Sequence, residues 1–86
     1  MKAFVLRLVG PEGVLADAEV ESLVLPGAAG SLGVQAGHES WTVLLKRGAV
    51  SWKKAGGAWD SAEIGGGVAS IEGTRTIVLA DSAKTS

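Results

Sequence analysis

The stretch Ala49-Val50-Ser51-Trp52-Lys53-Lys54-Ala55-Gly56-Gly57-Ala58-Trp59-Asp60-Ser61-Ala62-Glu63-Ile64 carries the decisive pattern of the chain. Residues 49–54 and 59–64 have β character, and the glycines between them mark a reversal, so the stretch predicts a β-hairpin. A two-residue turn at Ala55-Gly56 sets Trp52 opposite Trp59, an aromatic cross-strand pair that contributes on the order of 0.5–1 kcal/mol. A turn at Gly56-Gly57 breaks that pair, and the residues leave both registers open.

The same grammar extends in both directions. Residues 3–9 alternate, with Phe4, Leu6 and Leu8 on one face and Val5, Arg7 and Val9 on the other. Residues 20–25 set Glu21, Leu23 and Leu25 opposite Val20, Ser22 and Val24. Further short strands are predicted at 14–16, 32–35, 42–45, 68–71 and 76–80. Turn signals fall between them at Gly10-Pro11-Glu12-Gly13, Pro26-Gly27, Lys46-Arg47-Gly48, Gly65-Gly66-Gly67 and Glu72-Gly73. Nine or ten strands with glycine-rich turns and no helical periodicity before residue 80 predict an all-β sandwich or flattened barrel. After the last of these strands, Asp81 or Ser82 offers the N-cap of a helix.

Composition narrows the function classes. The chain has 86 residues, one small domain, which buries roughly 60–65 % of its unfolded surface. Its eight Lys or Arg against nine Asp or Glu give no basic footprint for a nucleic acid. There is no cysteine for a disulfide or thiolate site, and no apolar run long enough to span a membrane. Mean hydropathy is nonetheless positive at +0.31, and three of the four aromatic residues are Trp. Such a balance in a small domain reserves apolar surface for a partner.

Residues suited to catalysis do not converge. Gly37-His38-Glu39-Ser40 gathers a histidine, a carboxylate and a hydroxyl, but neighbours on one strand or turn point to opposite faces and cannot meet at one reacting atom. One histidine without cysteine is a poor zinc set. The glycines at 27–33 and 65–67 lack the spacing of a phosphate loop. No catalytic, cofactor or metal residue is therefore expected, and the chain reads as a non-enzyme.

The run Gly30-Ser31-Leu32-Gly33-Val34-Gln35-Ala36-Gly37-His38 resembles the motif G-x-L-G-[IV]-x-x-G-H of the epsilon subunits of F-type ATP synthases, called delta in mitochondria. Leu45-Lys46-Arg47-Gly48 is similar to that family's L-K-P-G turn, Gly66-Gly67 to its G-G pair, and Val78-Leu79-Ala80-Asp81-Ser82-Ala83 to its V-L-A-D-x-A ending. Upstream, residues 4–9 and 20–23 fit the opening strands. The departures are Ala36, Ser40 and Arg47 in place of prolines, Trp41 in place of leucine, and Ser31 at a position often acidic.

The resemblance implies a ten-stranded β-sandwich spanning residues 1–81, with 82–86 a short tail where a C-terminal helical hairpin, absent here, would begin. It implies a non-catalytic rotor subunit of the central stalk without the inhibitory arm. Such a subunit binds gamma and the polar loops of the membrane c-ring, and acts indirectly on the alpha/beta hexamer. It couples ion flow to ATP synthesis at the cytoplasmic face of the membrane, with no insertion of its own. Carried over by position, the ring would meet Gly30, Ser31, Leu32 and Gly33, while Gly10, His38 and the strand from Trp41 to Leu45, Trp41 and Val43 foremost, would lie toward gamma and the ring. The alternative is an unrelated β-sandwich that binds another protein through an apolar face.

Overall fold

A computed structural model describes residues 3–37 and 39–85, and every regular element in it is a strand. The order is β1 (Phe4–Gly10), β2 (Gly13–Gly27), β3 (Gly30–Val34), β4 (Trp41–Leu45), β5 (Gly48–Lys54), β6 (Trp59–Ile64), β7 (Gly67–Ile71), β8 (Arg75–Ala80) and β9 (Ala83–Thr85). The two segments expected at 14–16 and 20–25 are one strand of 15 residues, β2. The helix start expected at Asp81 or Ser82 is instead a turn into β9, whose Ala83, Lys84 and Thr85 pair with Ile64, Glu63 and Ala62. Strand pairing wins there because the β6 edge offers unfilled backbone donors and acceptors.

β2 joins two layers. Its first half pairs with β1, from Gly10↔Gly13 to Phe4↔Val20. Its second half pairs with β3 along one edge, as in Leu23↔Val34 and Leu25↔Leu32, and with β5 along the other. One layer is β4–β7–β8–β1 and the start of β2; the other is β3, the end of β2, β5, β6 and β9. β1 and β8 are parallel, and the remaining pairings are antiparallel. The layer bearing β4 closes on β2 at Gly27↔Leu45, giving a flattened barrel.

Alternation fills the space between the layers. Phe4, Leu6 and Leu8 of β1, Ala69 and Ile71 of β7, and Val78 of β8 meet Leu23, Leu25, Val34, Val50, Trp52, Ala62 and Ile64 in one core. Each fully buried Val, Leu or Ile contributes roughly 1.5–3 kcal/mol. The expected alternation of 20–25 breaks at one place. Val20 faces Lys54 and Ser22 faces Lys53, so Glu21 is an extra residue in a β-bulge. The bulge turns both Val20 and Leu23 to the core.

Glu21 is then free to reach the β5–β6 turn, where its carboxylate accepts from Lys53 Nζ and, at 3.3 Å, from the Gly56 amide. That turn has three residues, Ala55-Gly56-Gly57, with Gly56 at φ +69°. The odd count sets Trp59 opposite Lys53 and Trp52 opposite Asp60. The Trp52–Trp59 pair is thus overturned: Trp52 is 5 % exposed in the core and Trp59 is 52 % exposed on the outer face. Gly67 is fixed by close approach, since a Cβ there would lie 2.1 Å from the Leu79 carbonyl oxygen.

The turns gather at two ends. At one, Lys46 N donates to Pro26 O (2.9 Å), Gly65 N to Ser82 O (3.0 Å) and Asp81 N to Gly66 O (2.9 Å). At the other, Gly37 N donates to Gly73 O (2.9 Å), Val5 N to Thr74 O (3.0 Å) and Ala55 N to Glu19 O (3.3 Å).

Two stability outcomes follow from these contacts. Thr76 is fully buried and its Oγ1 has no hydrogen-bond partner, so Thr76→Val should stabilise the fold by about 1 kcal/mol in urea denaturation. An unchanged or lower midpoint would refute this. The Lys53 hydrogen bond, then the Gly56 amide, holds the Glu21 carboxyl below its ordinary pKa. A lowered folded-state pKa means stability that is present above the unfolded carboxylate pKa and is lost as pH falls through the folded value. Glu21→Gln should therefore lower the urea midpoint at pH 7 and flatten its decline below about pH 4.3; parallel acid limbs would refute the role.

Candidate functional site

The outer face of the β4–β7–β8–β1–β2 layer carries a feature that strand register alone builds. Val14 pairs with Val9, Val9 with Leu79, Leu79 with Val68, and Val68 with Leu44. Partners in adjacent strands point to the same face, so five apolar side chains form one row across five strands, roughly 19 Å long at about 4.8 Å per strand. Leu44 is 69 % exposed, Leu79 51 % and Val14 49 %; Val9 and Val68 are half-buried between them. The next outward row is mostly polar. It runs Asp17–Arg7–Ile77–Ser70–Thr42, with Arg7 Nε and Asp17 Oδ2 at 3.9 Å. An apolar strip with a polar margin is the anatomy of a protein–protein contact.

Beyond Leu44 the row runs into a groove of about 450 Å³ between β4 and the β2–β3 hairpin. Ala28 N donates to Leu44 O at 2.9 Å and ties the hairpin root to β4. The groove exists because β4 meets β2 only at Gly27↔Leu45, while the outer edge of β3 carries no strand among the described residues. Leu32 and Val43 form its half-buried floor, and Trp41, 51 % exposed, stands at its wall.

The groove brings together five of the expected contact residues: Gly30, Ser31, Leu32, Trp41 and Val43. Gly33 faces away from it, beside Val24 and Trp59. Gly10 ends β1 next to Leu15 and Ala83, one residue beyond the row. His38 lies outside the described residues. On the same face of β4 as Trp41 and Val43, Leu45 belongs to the core at 7 % exposure.

Sequence reasoning placed the strand of Leu44 in the contact region without singling that residue out, and missed Val68 and Leu79. The available signal was apolar residues on both faces of one strand, as in Val43-Leu44-Leu45 and Ile77-Val78-Leu79, which marks a sheet covered on two sides.

The chemistry this surface supports is contact. Among the described residues no three His, Cys, Asp or Glu side chains are grouped to hold a metal, and no helix is long and apolar enough to cross a membrane.

Comparison with known proteins agrees with this architecture. Residues 3–86 match the family described as the ATP synthase delta/epsilon chain, beta-sandwich domain. The ATP synthase epsilon chain of Campylobacter fetus is 37 % identical over 83 residues, covering 96 % of this chain and 64 % of that one. That of Brucella canis is 42 % identical over 82 residues, covering 95 % and 61 %. The chain thus spans less than two thirds of the length of these relatives. Among solved structures, a chain of the Euglena gracilis mitochondrial ATP synthase (OSCP/F1/c-ring, rotational state 1) superposes with a TM-score of 0.89 at 24 % identity, covering 96 % of this chain and 53 % of that one. A chain of the Tetrahymena thermophila mitochondrial ATP synthase central stalk and c-ring gives 0.77 at 13 % identity, covering 98 % and 67 %. Family match and fold together identify the chain as a member of the ATP synthase delta/epsilon chain β-sandwich family.

Proposed function

We propose that this chain is a non-catalytic subunit of the central stalk of an F-type ATP synthase, docked on gamma by the Val14–Val9–Leu79–Val68–Leu44 row. In this reading the adjoining groove and the Gly30–Leu32 end of the β2–β3 hairpin meet the polar loops of the membrane ring. The subunit turns with the rotor and passes torque between ring and gamma, so that ion flow is coupled to ATP synthesis in the alpha/beta hexamer. It contributes rigidity and contact, and it lies at the cytoplasmic face without entering the membrane.

The observation that carries the reading is the row itself. The exposed parts of these Leu and Val side chains gain nothing for the isolated fold, whereas an apolar partner face releases their hydration. Two layers that share the long strand β2 also suit torque transmission, because continuous main chain ties them into one body. Both solved assemblies described above contain the c-ring, and the Tetrahymena thermophila one the central stalk, which is consistent with this placement.

Retention on immobilised gamma from the same source tests the proposal. Wild type should be retained, and Leu44→Lys and Leu79→Lys should each weaken binding by about 30-fold, the effect of losing a central apolar anchor. Their urea midpoints should stay within about 1 kcal/mol of wild type, because both side chains face solvent. Absence of wild-type binding at roughly 50 µM would overturn the stalk role and leave a β-sandwich module for some other protein.

A further inference from the structure

At the end of the barrel that carries the β2–β3 hairpin, a second cleft of about 270 Å³ opens between the β4–β5 turn and β9. Arg47, Glu63, Ile64, Gly65, Ser82 and Lys84 line most of it. Two cations therefore face one carboxylate. Neither Arg47 nor Lys84 makes an ion pair among the described residues, although Lys84 sits directly across the strands from Glu63. Lys46, next to Arg47 in the chain, is a third exposed cation on this turn. The backbone holds the walls in place: Gly65 N donates to Ser82 O, and Lys46 N to Pro26 O at the root of the hairpin. A Cβ on Gly65 would lie 2.4 Å from Ser82 Oγ, so the hydroxyl wall stands against bare backbone.

We infer that this cleft seats a carboxylate carried by the polar loops of the membrane ring, an inference that rests on the stalk reading above. Unpaired Arg and Lys at a cleft mouth attract an anion, and the Arg fork matches a carboxylate with two parallel hydrogen bonds. The cleft continues the surface already assigned to the ring, since the β4–β5 turn is bonded to the root of the Gly27–Gly30 hairpin. An acidic protein loop fits better than an anionic membrane surface, because the site is one local cleft with its own glutamate on a chain of net charge −1.

The test is binding of the chain–gamma complex to the purified ring in nanodiscs, from about 50 to about 300 mM salt. Wild-type affinity should fall with salt. Arg47→Glu and Lys84→Gln should each raise Kd about tenfold at low salt and flatten the salt dependence. Arg47→Lys should keep the salt dependence but recover only part of the affinity, because an ammonium cannot make the two parallel hydrogen bonds. Arg75→Glu, the same charge change at the opposite end, should match wild type. Ring binding by Arg47→Glu and Lys84→Gln equal to wild type, with gamma binding intact, would overturn the inference and leave the stalk reading standing. Loss already visible on gamma without the ring would move the carboxylate to gamma and overturn the ring assignment. Failure of wild type to bind gamma would remove the stalk reading itself.

Discussion

Backbone amides taken out of water must find partners, and in this chain one strand settles where most of them go. β2 spans 15 residues and hydrogen-bonds to β1, β3, β4 and β5 in turn. It belongs to one layer at its start and to the other at its end. The two layers are therefore held by continuous main chain as well as by core packing. The bulge at Glu21 lets the strand change layers without losing its buried face, and the Glu21 contacts to Lys53 and Gly56 fasten the β5–β6 hairpin to the same point.

With β2 in place, the outer row is a consequence of register. Five residues separated by up to 70 positions in sequence line up because each strand is fixed against its neighbour by core residues on its other face, such as Leu8, Val78, Ala69 and Leu45. A one-residue slip in any pairing would turn a core residue outward. The outer row is thus registered by the interior: the forces that order the core also order the apolar surface on the other side of the sheet.

The sequence made the fold class legible because alternation and turn chemistry are local. Phe4, Leu6 and Leu8 face inward as their spacing dictates. What is not local was not legible. The union of 14–16 and 20–25 into β2 depends on partners on both edges, and the true register of Trp52 and Trp59 depends on a three-residue turn that competes closely with two-residue alternatives. β9 forms from a sequence with helix-capping residues because the β6 edge is available to pair with it. At the candidate site, the motif carried Gly30, Ser31, Leu32, Trp41 and Val43 to one groove. Leu44 and Leu79, by contrast, acquire meaning only when four separate pairings bring them into line.

The parallel pairing of β1 with β8 has a consequence for how the molecule is made. Val5 to Val9 lie against Arg75 to Leu79, so the first strand cannot complete its hydrogen bonding until a segment some 70 residues later has been synthesised. Closing a loop that long costs entropy before any contact offsets it, and a sheet dominated by distant pairings forms slowly. During that interval the β1–β2 hairpin has an open edge and carries Val9 and Val14 uncovered. A nascent chain in this state is exposed to wrong pairing with other edges, and the time for which those edges stay open becomes part of what determines the yield of folded chain.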